Sequence, residues 1–153
     1  LLSCQNSPKT RSKVSYNLTL FDFEYTTEEG IIAEPLNLTV SLRGTLEVKE
    51  KLQIFRLTGL LDAFSEPTFR KVVSDHIEAG PSHVVLDLST IDFIDSSGLG
   101  ALVQVTKLSQ TKSGSLQIVT NPRVTQTVKL VRLEKFLHLH GSLPEAIAAA
   151  EVA

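Results

Sequence analysis

The stretch from Val84 to Leu99, VVLDLSTIDFIDSSGL, decides how this chain folds. Its first five residues, VVLDL, make a short run that is apolar almost throughout. Such a run marks a strand buried on both faces in an α/β domain. Ser89 to Asp95 then reads as a loop. Beyond it, Leu99, Leu102, Val103 and Thr106 recur at helical spacing. That predicts a helix from Ser97 to about Gln110, with Gly98 tolerated in the first turn. Asp95, Ser96 and Ser97 therefore stand where a helix begins. Small polar residues cap the orphan amides there, and the same place favours a negative charge, a phosphate included. A serine so placed is either a plain cap or a site where phosphate is added and read.

Outward from this block, strands and helices alternate. Leu46 and Val48 lead into the polar turn Lys49 to Lys51, and Leu52, Ile54, Phe55 and Leu57 form a strand closed by Thr58-Gly59. A short turn between two such runs predicts a hairpin. Ser65 is placed to cap a helix with Pro67 in its first turn. Phe69, Val72, Val73, His76 and Ile77 give that helix its apolar face, and Ala79-Gly80-Pro81 stops it. After the central block, Leu116, Ile118 and Val119 read as a strand. Pro122 opens a helix carrying Val124, Val128 and Val131, and Phe136 to Leu139 is a brief strand. Ser142 and Glu145 form a capping box for a last helix with Leu143, Ile147 and Ala150. The order from Leu46 is β-β-α-β-α-β-α-β-α, which implies a mixed sheet with its first strand pair antiparallel and helices chiefly on one face.

The front of the chain differs. Residues 1 to 13 are polar and aperiodic and are expected to form a mobile tail. Val14 to Tyr25 alternates with a slip of phase at Leu20-Phe21, and reads as a strand. Leu36, Leu38, Val40 and Leu42 alternate against polar neighbours and predict a second strand, which Gly44 interrupts. Left open, such a ribbon is a template for self-pairing. The first run is expected either to pair with the second or to cross to another subunit, which would make a homodimer.

Composition narrows the function. The chain has 153 residues, enough for one domain with a real core and too few for two ordinary ones. Lys and Arg number 15 against 17 Asp and Glu, a formal charge of −2. That near balance argues against direct nucleic-acid binding, which usually needs a basic stripe. No apolar run approaches the roughly 20 residues of a membrane span. Cys4 is the single cysteine, so no internal disulfide can form. The sequons at Asn17 and Asn37 carry meaning only in a secreted protein, and no stretch reads as a secretory leader. A cytoplasmic protein is expected.

Enzyme constellations are missing. Gly98 and Gly100 are followed by Ala101, Leu102 and Val103, so no dinucleotide fingerprint forms, and neither a Walker lysine motif nor a Gly-x-Ser-x-Gly elbow occurs. Ser96 or Ser97 would need an oriented base to act as a nucleophile. His138 and His140 share a face if their segment is a strand, but two histidines fall short of a zinc site. Lys129, Arg132 and Lys135 read as a solvated helix face. No cofactor and no catalytic residue is expected.

The block VVLDLSTIDFIDSSGLGALV resembles the signature of the STAS domain, in particular that of the bacterial anti-sigma factor antagonists. RLTGLLDAF at Arg56 to Phe64, GSLQIVTNP at Gly114 to Pro122 and VRLEKFLHLH at Val131 to His140 resemble further pieces of the same family, in the same order. The match runs from about Thr45 to Ala150, leaving residues 1–44 as an N-terminal β-rich extension to a STAS domain at 45–153. The resemblance implies a STAS-like α/β fold and a switch. The unmodified antagonist binds an anti-sigma factor that is also a serine kinase. The kinase phosphorylates the motif serine and abolishes binding, and a PP2C-type phosphatase restores it. Carried onto this chain, the phosphoacceptor is Ser97. The expected partner-binding residues are Asp62, Asp95, Ser96, Ser97, Gly98 and Leu99. The alternative implied by the family is a STAS scaffold or an accessory subunit of a signalling or transport assembly.

Overall fold

The computed structural model describes residues 25–26 and 32–152. Among them are seven strands and four helices. The strands are β1 (Tyr25–Thr26), β2 (Ile32–Leu36), β3 (Leu42–Val48), β4 (Leu52–Leu61), β5 (His83–Ile94), β6 (Leu116–Val119) and β7 (His138–His140). The helices are α1 (Glu66–Ala79), α2 (Ser96–Thr111), α3 (Pro122–Leu130) and α4 (Leu143–Val152). The strands make one sheet in chain order. β1 to β4 pair antiparallel and β4 to β7 parallel. The expected mixed sheet, antiparallel at its front and built of βα units behind, is what forms.

β5 sits in the interior of this sheet, between β4 and β6. Val84, Leu86 and Leu88 enter the larger core, against Phe69, Val73 and Ile77 of α1, Leu102 and Val105 of α2, and Val124 and Val128 of α3. Val85 enters the smaller core on the opposite face with Leu52, Ile54, Val119 and Ala146 and Ala150 of α4. Three helices therefore cover one face and α4 the other. A strand with no polar face can stand only where both faces are covered.

The structure corrects several readings of the sequence. Ser89 to Asp95 is not a loop, because β5 runs on to Ile94. Two register shifts against β4 break the alternation, one between Arg56 and Thr58 and one between Gly59 and Leu60. Leu88, Ile91 and Ile94 consequently reach the same core at a spacing of three residues, a pattern that does not look like a strand. β6 pairs only as far as Asp87. Beyond it, side chains from the start of α3 satisfy the carbonyls of the irregular half. Asn121 donates to Ser89 at 3.1 Å and Ile91 at 2.8 Å, and Arg123 donates to Asp92 at 2.8 Å.

Leu36 to Leu42 is not a strand. Thr39 and Leu42 exchange backbone hydrogen bonds at 3.1 and 3.3 Å and reverse the chain between β2 and β3. Leu36 and Leu38 still pack on the core, which produced the alternating pattern, but Val40 stands in solvent at the turn. Gly44 does not interrupt a strand; it lies inside β3. β4 does not close at Gly59 but continues to Leu61. The expectations for residues 1–13 and for most of Val14 to Tyr25 fall outside the described residues.

Gly59 holds the β2–β3 turn against β4. Its φ is +118°, a conformation that side chains other than hydrogen rarely adopt, and a Cβ there would fall on the Ser41 carbonyl oxygen. That carbonyl accepts the Leu60 amide at 2.9 Å. Gly59→Ala is predicted to lower stability by about 3 kcal/mol. The check is the urea midpoint of the variant at unchanged slope.

Candidate functional site

The site forms where β4 and β5 end together and α2 begins. Asp95 occupies the N-cap of α2, with extended backbone, and its Oδ1 accepts the Gly98 amide at 3.0 Å. Its Oδ2 accepts the Ala63 amide at 3.2 Å, from the turn after β4. One carboxylate thus fastens the helix start to the neighbouring turn. The Asp95 amide adds a 3.3 Å bond to the Leu61 carbonyl.

Asp62 shapes that turn. Its Oδ1 accepts the amides of Phe64 and Ser65, both at 3.1 Å. The Ser65 hydroxyl donates to the Leu60 carbonyl at 2.7 Å and accepts the Asp62 amide at 3.1 Å. Ser65 is the N-cap residue of α1, as expected, but its side chain does not cap the helix. It is fully buried and serves the turn instead.

The six residues singled out for partner binding come together within this junction, at different depths. Ser96 is exposed; Ser97, Asp62 and Asp95 are half-buried; Gly98 and Leu99 are buried. Leu99 belongs to the main core and so anchors the helix from inside. A Cβ on Gly98 would meet the Leu61 carbonyl oxygen and come within 2.9 Å of Ile94 Cγ1. The helix lies against the end of β4 because this residue has no side chain. Ser96 and Ser97 occupy the first two positions of α2, where amides have no intrahelical acceptor. An oxyanion at Ser97 would meet the positive end of the helix, with the capping carboxylate of Asp95 as its unfavourable neighbour.

Several contributors were not read from the sequence. Asn121 and Arg123 brace β5 from α3. The Asn-Pro pair at 121–122 signals a helix start, and Asn121 does cap α3, accepting the Val124 amide at 2.8 Å, but nothing local signals its second task across to β5. His138 and His140 lie on β7, and His140 Nε2 meets Gln117 Oε1 at 2.7 Å. Among the described residues, no group of three His, Cys, Asp or Glu is arranged to hold a metal ion. No described helix is long and apolar enough to cross a membrane.

The chain is a small α/β module: a mixed sheet whose interior strand β5 runs into a helix capped by Asp95, with a serine pair in its first turn. The model of the STAS domain family matches residues 45–146, and the chain belongs to that family. An anti-sigma F factor antagonist of Paenibacillus polymyxa is 29% identical over 115 residues, covering 74% of this chain and 98% of the relative. The fold is shared with the anti-sigma factor antagonist SpoIIAA. Its unphosphorylated form superposes with a TM-score of 0.61 at 22% identity, covering 72% of this chain and 97% of that one. The transporter SLC26A9 contains the same fold, with a TM-score of 0.57 at 16% identity over 68% of this chain and 20% of its own length. The family match begins inside β3, so β1, β2 and the turn at Val40 precede it.

Gly100 provides a control for Gly98, since a Cβ there would meet nothing within 4 Å. Gly100→Ala is predicted to stabilise the protein by about 0.5–1 kcal/mol through helix propensity. Gly98→Ala is predicted to destabilise it by about 1–2 kcal/mol, because the clash outweighs the same gain. Asp95→Ala should cost about 1–2 kcal/mol, and Asp95→Asn should recover only the helix-cap part, because its amide nitrogen cannot accept the Ala63 amide. Chemical denaturation of the four variants checks the ranking.

Proposed function

We propose that this chain is an anti-sigma factor antagonist whose binding is switched by phosphorylation of Ser97. In this reading the unmodified protein binds an anti-sigma factor with serine kinase activity and so releases a sigma factor for transcription. The kinase transfers phosphate to Ser97, and a PP2C-type phosphatase removes it. The protein is a cytoplasmic binding module, not an enzyme. Residues 45–153 form the STAS domain and residues 1–44 an extension to it, which is also where a homodimer contact would be sought.

The observation that carries this reading is the depth of Ser97. It is half-buried at the second position of α2, while the next two residues are buried and fix the helix. A phosphate adds about −1.5 to −2 charges. Here it would sit at the helix terminus and outside the core, so the protein keeps its fold. The penalty falls on the complex, where a partner fitted to a hydroxyl meets a dianion that must lose water beside Asp95. The antagonist named above is matched over nearly its whole length. The reading as an accessory module of a transporter has only fold likeness at 16% identity to support it.

Incubation with the cognate kinase and ATP, followed by mass spectrometry, tests the assignment. Phosphate is expected on Ser97, absent in Ser97→Ala and retained in Ser96→Ala; quantitative modification of Ser96 instead would reject it. Ser97→Ala should still bind the partner. Ser97→Asp should bind about tenfold more weakly or worse while changing stability by no more than about 0.5 kcal/mol.

A further inference from the structure

Three large apolar side chains stand in solvent at the same end of the sheet as Ser97. Val40 at the β2–β3 turn is 92% exposed, Phe64 in the β4–α1 turn 69%, and Phe93 near the end of β5 49%. Backbone contacts tie the three together. Ser41, beside Val40, accepts the amide of Leu60, and Leu60 is the register partner of Phe93. Ala63, beside Phe64, donates to Asp95, which lies just beyond Phe93. Among the described residues, the other exposed large apolar side chains, Val48, Leu130, Val131 and Val152, close elements that run back toward the opposite end of the sheet.

The exposure of Phe93 is imposed by the backbone. Strict alternation from Ile91 would turn Phe93 into the core and Ile94 out of it. The second register shift reverses both, so Ile94 is buried and Phe93 is not. A bulge that re-aims an aromatic ring into water gives up its burial energy, which is expected where the ring meets something else. The surroundings are acidic. Asp62 and Asp95 are held by backbone amides, Asp92 is exposed, and Glu66 is paired with Arg70. Apart from Arg70, Arg123 is a cation of this region, donating to the Asp92 carbonyl at 2.8 Å.

We infer that Val40, Phe64 and Phe93 are the apolar anchors by which the unphosphorylated chain docks on its protein partner. The matching surface of that partner is apolar at its centre and carries Arg or Lys at the rim opposite Asp62 and Asp92. This rests on the antagonist reading and names the residues that hold the partner. Aromatic anchors in a dry centre carry most of the energy of an interface, and rim charges govern encounter. A phosphate on Ser97 enters the apolar centre and not the basic rim, so its desolvation is uncompensated. Val40 lies ahead of the residues that the STAS model matches, so this anchor comes from the front part of this chain.

The test is surface plasmon resonance on the immobilised cognate anti-sigma factor, with unphosphorylated wild type, Phe64→Ala, Phe93→Ala, Val40→Ser, Asp92→Asn and the distant control Val152→Ala. The two phenylalanine variants and Val40→Ser are expected to dissociate about tenfold faster or more, with denaturation midpoints like wild type. Phe93→Leu, which keeps an apolar side chain, should recover part of the loss. Asp92→Asn should slow association and flatten its salt dependence. Val152→Ala should match wild type. Wild-type dissociation of both phenylalanine variants, with Ser97 phosphorylation still weakening binding, overturns the anchors and leaves the switch standing. Faster dissociation of those variants, with phosphorylated and unmodified chains binding equally, overturns the switch and leaves the anchors. Wild-type rates in every arm overturn both.

Discussion

The irregular half of β5 sets the geometry on which the rest of the site depends. A parallel strand between two neighbours must keep its apolar residues aimed at the cores that cover it. β5 does this by ordinary alternation to Leu88 and then by a step of three residues, twice, to Ile91 and Ile94. Each step needs an extra residue opposite β4 and leaves backbone groups off the ladder. Asp87 accepts the Ser89 amide at 3.0 Å, the Thr90 hydroxyl donates to the Leu57 carbonyl at 2.8 Å, and Asn121 and Arg123 serve the carbonyls. With these satisfied, the strand delivers Ile94 to the core, Phe93 to solvent and Asp95 to the helix cap.

From there a single carboxylate couples two connections that are far apart in sequence. Asp95 holds the start of α2 and the turn after β4 at once, and Gly98 lets the helix lie directly on the end of β4. The consequence is a sharp gradient of burial. Between Ser96 and Leu99 the chain passes from solvent to the main core. Chemistry at the outer serines is thereby separated from packing at the inner residues, although they are adjacent in sequence. A modification there can change what the surface recognises without disturbing what holds the domain together.

Much of this was legible in the sequence because burial dominates it. Val84 to Leu88 has no polar face, and Phe69, Val73 and Ile77 repeat along one side of α1, so the parallel half of the sheet and its covering helices follow from pattern alone. Asp95 was legible as a cap because an acidic residue just ahead of a serine pair at a helix start, three positions before the amide it accepts, has one obvious task. Its second bond, to Ala63, was not, since it depends on the pairing of β4 with β5. The bulged segment hid itself: Leu88, Ile91 and Ile94 repeat at neither two nor three and a half residues. The turn at Val40 hid for the opposite reason. Two strand ends and a reversal happened to put apolar residues at every second position from Leu36 to Leu42. Local periodicity cannot distinguish one straight strand from two that meet.

Hydrogen exchange of the backbone amides, compared between the unmodified protein and the protein phosphorylated on Ser97, tests the central claim most directly. That claim is that the helix start bears a new charge without yielding. The amides of Ala63 and Gly98, which the Asp95 carboxylate accepts, should keep the same protection in both forms, and so should the buried turns of α2 behind them. Loss of protection at Gly98 and Ala63 on phosphorylation would contradict it. It would mean that repulsion between the phosphate and Asp95 opens the clamp, and that the proposed switch would have to work by local unfolding and not at a surface that stays in place.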